Sequence, residues 1–129
     1  VSDLVIVPSR ATVKDLERVE ASIKLATVYA IRPVFVVLTQ VRPRGDRHVQ
    51  AEQFITAKRF PVCPAQIGDR VSYQDSDVAG LTPLETEPAG KGADEIRRVY
   101  RFTHELLNQL QTKKANHEQT EEKSDRRAG

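Results

Sequence analysis

The run Val34-Phe35-Val36-Val37-Leu38 limits the fold more than any other stretch of this chain. Five apolar residues in a row, mostly β-branched or aromatic and opened by Arg32-Pro33, read as a strand. The lack of polar alternation means that both of its faces are covered. Leu4-Val5-Ile6-Val7, closed by Pro8-Ser9, reads as a second strand of the same kind, and Val62-Cys63 before Pro64 as a short third. Between them the period changes. Thr12 is placed to cap a helix with Asp15 three residues on, and Val13, Leu16, Val19, Ile23, Ala26 and Ala30 then recur at spacings of three and four. A second helix is expected over Arg47 to Lys58 after the Pro- and Gly-containing loop Val41–Asp46, and a helical segment over Asp69 to Ala79, stopped by Gly80. Leu81 to Pro88 reads as an extended connector or edge strand. Gly92-Ala93-Asp94-Glu95 opens a last helix with acidic groups in its first turn. Ile96, Val99, Tyr100, Thr103, Leu106, Leu107 and Leu110 give that helix one apolar face.

Strands alternating with helices call for a parallel sheet with right-handed crossovers. The expectation is an α/β chain holding a partial doubly wound parallel sheet of three or four strands with flanking helices. It fills residues 1–112. Beyond Thr112 no aliphatic residue larger than alanine occurs, so too little apolar area exists there to offset ordering entropy, and 113–129 reads as a disordered polar tail. The chain opens without methionine and enters a strand within a few residues, which leads us to expect that further residues normally precede Val1.

Composition excludes several classes. One cysteine, Cys63, allows neither a disulfide framework nor a zinc ribbon and fits a reducing compartment. In a buried strand its thiol reads as a small hydrophobe, not a nucleophile. His48, His104 and His117 lie far apart, without metal-ligand spacing, and read as surface histidines. No apolar run approaches the roughly 20 residues that span a bilayer. Val1–Val7, with no basic segment before it, is not a signal peptide, so a cytoplasmic location is expected. Gly90-Lys91-Gly92 is not a phosphate loop, because Glu85 and Gly92 stand where that pattern needs Gly and Ser or Thr. No catalytic residue and no metal site is read from the chain.

Twenty Lys and Arg against eighteen Asp and Glu leave only +2, so arginine clustering, not net charge, bears on a polyanionic partner. Arg42, Arg44 and Arg47 bracket the loop after the strongest strand, and Arg70 follows the third. In open α/β sheets such loops, at the carboxyl ends of strands, carry the ligands. Arg97, Arg98 and Arg101 lie on the polar side of the last helix, where they could track phosphates or simply form a solvated face with pairs such as Arg101–Glu105. The few aromatics, Tyr73, Tyr100 and Phe102, do not support stacking on single strands.

In order along the chain, Ser2-Asp3-Leu4-Val5-Ile6-Val7-Pro8-Ser9, Arg32–Val41, Pro64-Ala65-Gln66-Ile67-Gly68-Asp69-Arg70-Val71-Ser72-Tyr73, Ala79–Glu85 and Lys91–Ile96 resemble the carboxyl-terminal half of a ParA/MinD-type partition ATPase, the deviant Walker P-loop family. The resemblance covers about residues 1–110. It implies ATP and Mg as the intact family's cofactors, a nucleotide-dependent dimer with a second copy, nonspecific double-stranded DNA, and a ParB-like centromere-bound partner that releases it. It also implies association with the nucleoid. Arg70 matches the family's candidate DNA-contacting arginine, joined by Arg42, Arg44, Arg97, Arg98 and Arg101. Thr39 and Gln40 fall at the adenine-facing position, with Pro64, Ala65 and Ile67 along the same base pocket. Thr39 stands where the family has asparagine, and a hydroxyl does not offer an amide's paired donor and acceptor. The family's phosphate loop, magnesium aspartate and catalytic switch precede the part matched here, so the chain alone is expected not to hydrolyse ATP. A non-enzymatic module that binds DNA or a ParB-like partner through its basic residues is the alternative. A receiver-like or flavodoxin-like domain is weaker, since only Pro8-Ser9-Arg10 follows the first strand.

Overall fold

In a computed structural model, residues 3–29 and 32–128 are described. Expectations that fall on Val1, Ser2, Ala30 or Gly129 lie outside them. The elements are β1 (Val5–Ser9), α1 (Val13–Lys24), β2 (Val34–Leu38), α2 (Arg47–Ala57), α3 (Val71–Val78), α4 (Pro83–Thr86) and α5 (Lys91–Ala128), with a π-helical turn over Leu25–Tyr29 at the end of α1.

β1 and β2 pair in parallel, Val5 opposite Val34 through Ser9 opposite Leu38. Every β2 residue is buried, and its side chains alternate between two cores. Val34, Val36 and Leu38 meet Leu16, Val19 and Ile23 of α1 and Ala51 and Ile55 of α2. Phe35 and Val37 face the other way onto Cys63 and onto Val99, Phe102 and Leu106 of α5. The Phe35 and Phe102 rings pack edge to face, 5.0 Å apart at 83°. Helices thus lie on both faces of β2, as a continuous apolar strand demands.

The sheet is smaller than expected. Among the described residues it has two strands, not three or four, and most of those residues are helical, so a partial doubly wound sheet does not describe it. The reason lies beside β2. Residues 61–69 follow its free edge, with Val36 N–H donating to Pro61 and Cys63 N–H to Val36. However, Val62 makes only an isolated bridge to Val36. Pro61 and Pro64 have no N–H to give, so a ladder cannot grow through them. Contact resumes past the end of β2, where Ile67 N–H donates to Leu38 and Val41 bridges Gly68. β1 is not buried on both faces either: as an outer strand it leaves Ile6 43% exposed.

The expected disordered tail is a second correction. α5 is one continuous helix of 38 residues, about 57 Å long at 1.5 Å per residue. From Gln111 to Ala128 it is exposed all round, so burial does not hold it. Its Lys, Glu, Gln, Arg and Ala residues favour helix. Pairs one turn apart add to this, His117–Glu121 and Arg126–Glu122 among them. Because the helix is already nucleated against the core, each further residue adds a hydrogen bond without paying for a new nucleus. Leu81–Pro88 is not extended: Thr82 and Glu85 form a capping box around Pro83 at the start of α4. Thr12 does cap α1, its hydroxyl accepting from Asp15 N–H at 3.3 Å, and Gly80 takes the left-handed conformation just past α3 (φ 69°).

Candidate phosphate-binding edge

Past Leu38 the chain must leave the sheet and still reach α2. Gln40 turns it at φ 53°, and Gly45 at φ 99°, a conformation that glycine adopts without strain. The loop between them projects Arg42 and Arg44, and Arg47 opens α2. All three are exposed, and among the described residues none has an ion-pair partner. With Arg10, Gln40 and His48 they line a hollow of about 380 Å³ at the carboxyl edge of the two strands. Asp46 precedes α2 without capping it through its side chain, so the first-turn amides of that helix are left to water or a ligand. The amino ends of α1, α3 and α5 reach the same edge, α1 directly after β1, α3 just after Gly68 and α5 where Gly92 C=O accepts from Tyr73. Their positive dipole ends add to the field there.

Three other arginines near this edge are held in ion pairs. Arg70 grips Glu95 of α5 through Nε at 2.7 Å and Nη2 at 2.6 Å. Glu95 also accepts from Gly68 N–H at 3.1 Å and Tyr73 Oη at 2.9 Å. Burial pushes the Glu95 carboxyl up, but Arg70, the Gly68 amide and Tyr73 outweigh it and hold the group below the usual carboxylate range. Burial and the bond to Glu95 push the Tyr73 phenol well above its ordinary value. This knot ties α5 and α3 to the carboxyl edge. Arg10 pairs with Asp15 at 2.9 Å, and Arg98 with Asp94 at 3.0 Å.

A second hollow, about 360 Å³, adjoins the first and is lined by Arg42, His48, Pro64, Ala65, Arg70 and Arg98, with Glu95. A third lies beyond it around Pro64, Ala65, Arg98, Arg101 and Phe102. Five of the six expected DNA-contacting residues, Arg42, Arg44, Arg70, Arg98 and Arg101, thus line adjoining hollows, with Arg70 and Arg98 already paired. Arg97 lines none of these hollows. The five residues assigned to a base pocket fall into two groups. Thr39 lies with Gln40 beside β1 and α1, whereas Pro64, Ala65 and Ile67 lie on the α5 side of β2, with Ala65 and Ile67 packed against the same Phe35 core. Among the described residues no three His, Cys, Asp or Glu side chains gather as metal ligands. Cys63 is buried, and burial pushes its thiol up.

Sequence reading passed over Glu95 as an organiser, and Arg10 and His48 as members of the edge. Arg10 and His48 each sit beside a strand-end loop, a signal the sequence does contain. The Glu95–Arg70 pair spans 25 residues and left none. Among the described residues no helix is long and apolar enough to cross a membrane. The chain matches no protein-family model, and no curated protein is significantly similar to it.

Proposed function

We propose that this chain is a non-catalytic module that holds duplex DNA by its phosphates without reading sequence, in the manner of the DNA-binding half of a ParA/MinD-type partition protein. The observation that carries the proposal is Arg42, Arg44 and Arg47, three guanidiniums with no ion-pair partner among the described residues, beside an amino end of α2 that no side chain caps. Guanidinium forks suit phosphate oxygens, and open first-turn amides add neutral donors to the same anion. Such contacts position a backbone and release counterions, but they carry no base information. In this reading the chain sits on the nucleoid, and a ParB-like protein and a second copy are its protein partners.

The test is fluorescence anisotropy with a labelled duplex of arbitrary sequence at about 50 and 200 mM salt. Binding should be insensitive to sequence and should weaken steeply with salt. The triple variant Arg42→Ala, Arg44→Ala, Arg47→Ala should lower the log–log salt slope by up to about 2.7, at about 0.9 per phosphate contact. Absence of binding at the lower salt, or a triple variant that binds as well as the native chain, would sink the proposal. Arg70→Ala is a poor probe, because its loss frees Glu95 and unties α5.

A further inference from the structure

His48 is the second residue of α2, half-buried, and lines both basic hollows. Val41, Arg42 and Asp69 line both hollows with it. The first hollow is also lined by Arg10, Arg42, Arg44 and Arg47, and the second by Arg42, Arg70 and Arg98. The carboxylates lining the hollows are Asp46 before α2, Asp69 after the bridge at Gly68, and Glu95 of α5. Glu52 stands one turn beyond His48 along α2. Asp46 and Asp69 form no ion pair among the described residues, and Glu95 is committed to Arg70.

We propose that His48 is itself a phosphate contact of this edge, and that duplex DNA binds with uptake of a proton at its imidazole. The inference rests on the DNA-binding reading above and adds to it a ligand residue and a regulation. Histidine is the side chain that ordinarily changes charge between pH 5 and 8. Its neutral ring offers one donor, and its protonated ring offers two donors and a charge. A phosphate resting on Arg42 and Arg47 favours the charged ring, as a nearby opposite charge does generally. By reciprocity the charged ring favours the phosphate to the same extent. Over pH 7.5 to 5.5 an ordinary carboxylate stays ionised and an arginine stays charged, whereas an ordinary imidazole gains its proton, so a pH response in this window separates the two kinds of contact.

The experiment is duplex anisotropy on the full chain at about 100 mM salt, at pH 7.5 and 5.5, for the native chain, His48→Gln and His48→Lys. The native affinity should rise about three- to tenfold on acidification, the scale of one added phosphate contact. His48→Gln should lose the rise, read as the ratio of its own affinities at pH 5.5 and pH 7.5. His48→Lys should bind tightly at both values. In parallel, an NMR titration of the ring should show its protonation moving to higher pH when duplex is added, a response that a merely structural side chain would not give. Binding without a pH response, or a rise that survives in His48→Gln, overturns the assignment and leaves the DNA-binding reading standing. No binding at either pH overturns both.

Discussion

Replacing Glu95 by alanine tests whether the knot at the carboxyl edge holds the fold. Three partners lose their acceptor. Gly68 N–H, in a half-buried turn at 3.1 Å, is left unpaired at a cost of about 1–2 kcal/mol. Arg70 is 34% exposed along its side chain and rehydrates, so losing its ion pair adds only about 1 kcal/mol. Tyr73 still donates to Gly92 C=O at 3.1 Å and adds little. The expected loss is about 2–3 kcal/mol. Glu95→Gln keeps the shape and one carbonyl acceptor and should lose about 1 kcal/mol. Urea unfolding followed by circular dichroism reads both, since a slope of about 1–3 kcal/mol per molar turns these losses into midpoint shifts near 1 M for the alanine variant. There is also a pH signature. The folded carboxyl titrates below its unfolded value, so its contribution is fully present above about pH 4.5 and fades as pH falls through the folded value. Glu95→Gln should flatten that acid limb. If Glu95→Ala unfolds within about 0.5 kcal/mol of the native chain, the usual range for featureless surface changes, the network has no structural weight and the reasoning fails.

Three further outcomes follow from the same geometry. Cys63 should resist a thiol reagent in the native chain and react at once in denaturant, because burial keeps its thiol protonated and covered; rapid native labelling would contradict that placement. Truncation after Thr112 should remove helical signal in circular dichroism and leave the midpoint of unfolding within about 0.5 kcal/mol, since the arm is exposed throughout. Asp94→Asn frees Arg98 from its ion pair and should tighten duplex binding by about two- to fivefold with a steeper salt dependence; no change would remove Arg98 from the binding surface.

Where local chemistry decides the structure, the sequence was legible. Val34–Leu38 declared itself by unbroken apolarity, α1 by its period and Thr12, and the end of α3 by Gly80. Misreadings came where one physical effect was weighed without its competitor. The tail was judged on tertiary burial alone, although its residue types and turn-spaced ion pairs extend a helix nucleated elsewhere. Val62-Cys63 was judged on apolarity alone, although flanking Pro61 and Pro64 deny it a ladder. Thr82-Pro83-Leu84-Glu85 carried a capping-box signal that the extended reading overlooked. The basic loop was legible because three arginines crowd six positions. What the sequence could not display is which arginines are neutralised, since that depends on carboxylates brought together only by folding.

The direction of α5 has a practical result. Glu95 lies level with the turn beyond Leu38, and Phe102 level with Phe35 near the start of β2, so the helix runs against the strands and leaves the body on the side away from Arg42, Arg44 and Arg47. Asp125 is then about 45 Å along the axis from Glu95. A dye or surface anchor placed on that protruding rod becomes a handle held clear of the basic edge, so tethering or labelling there reports on the bound partner without competing with it.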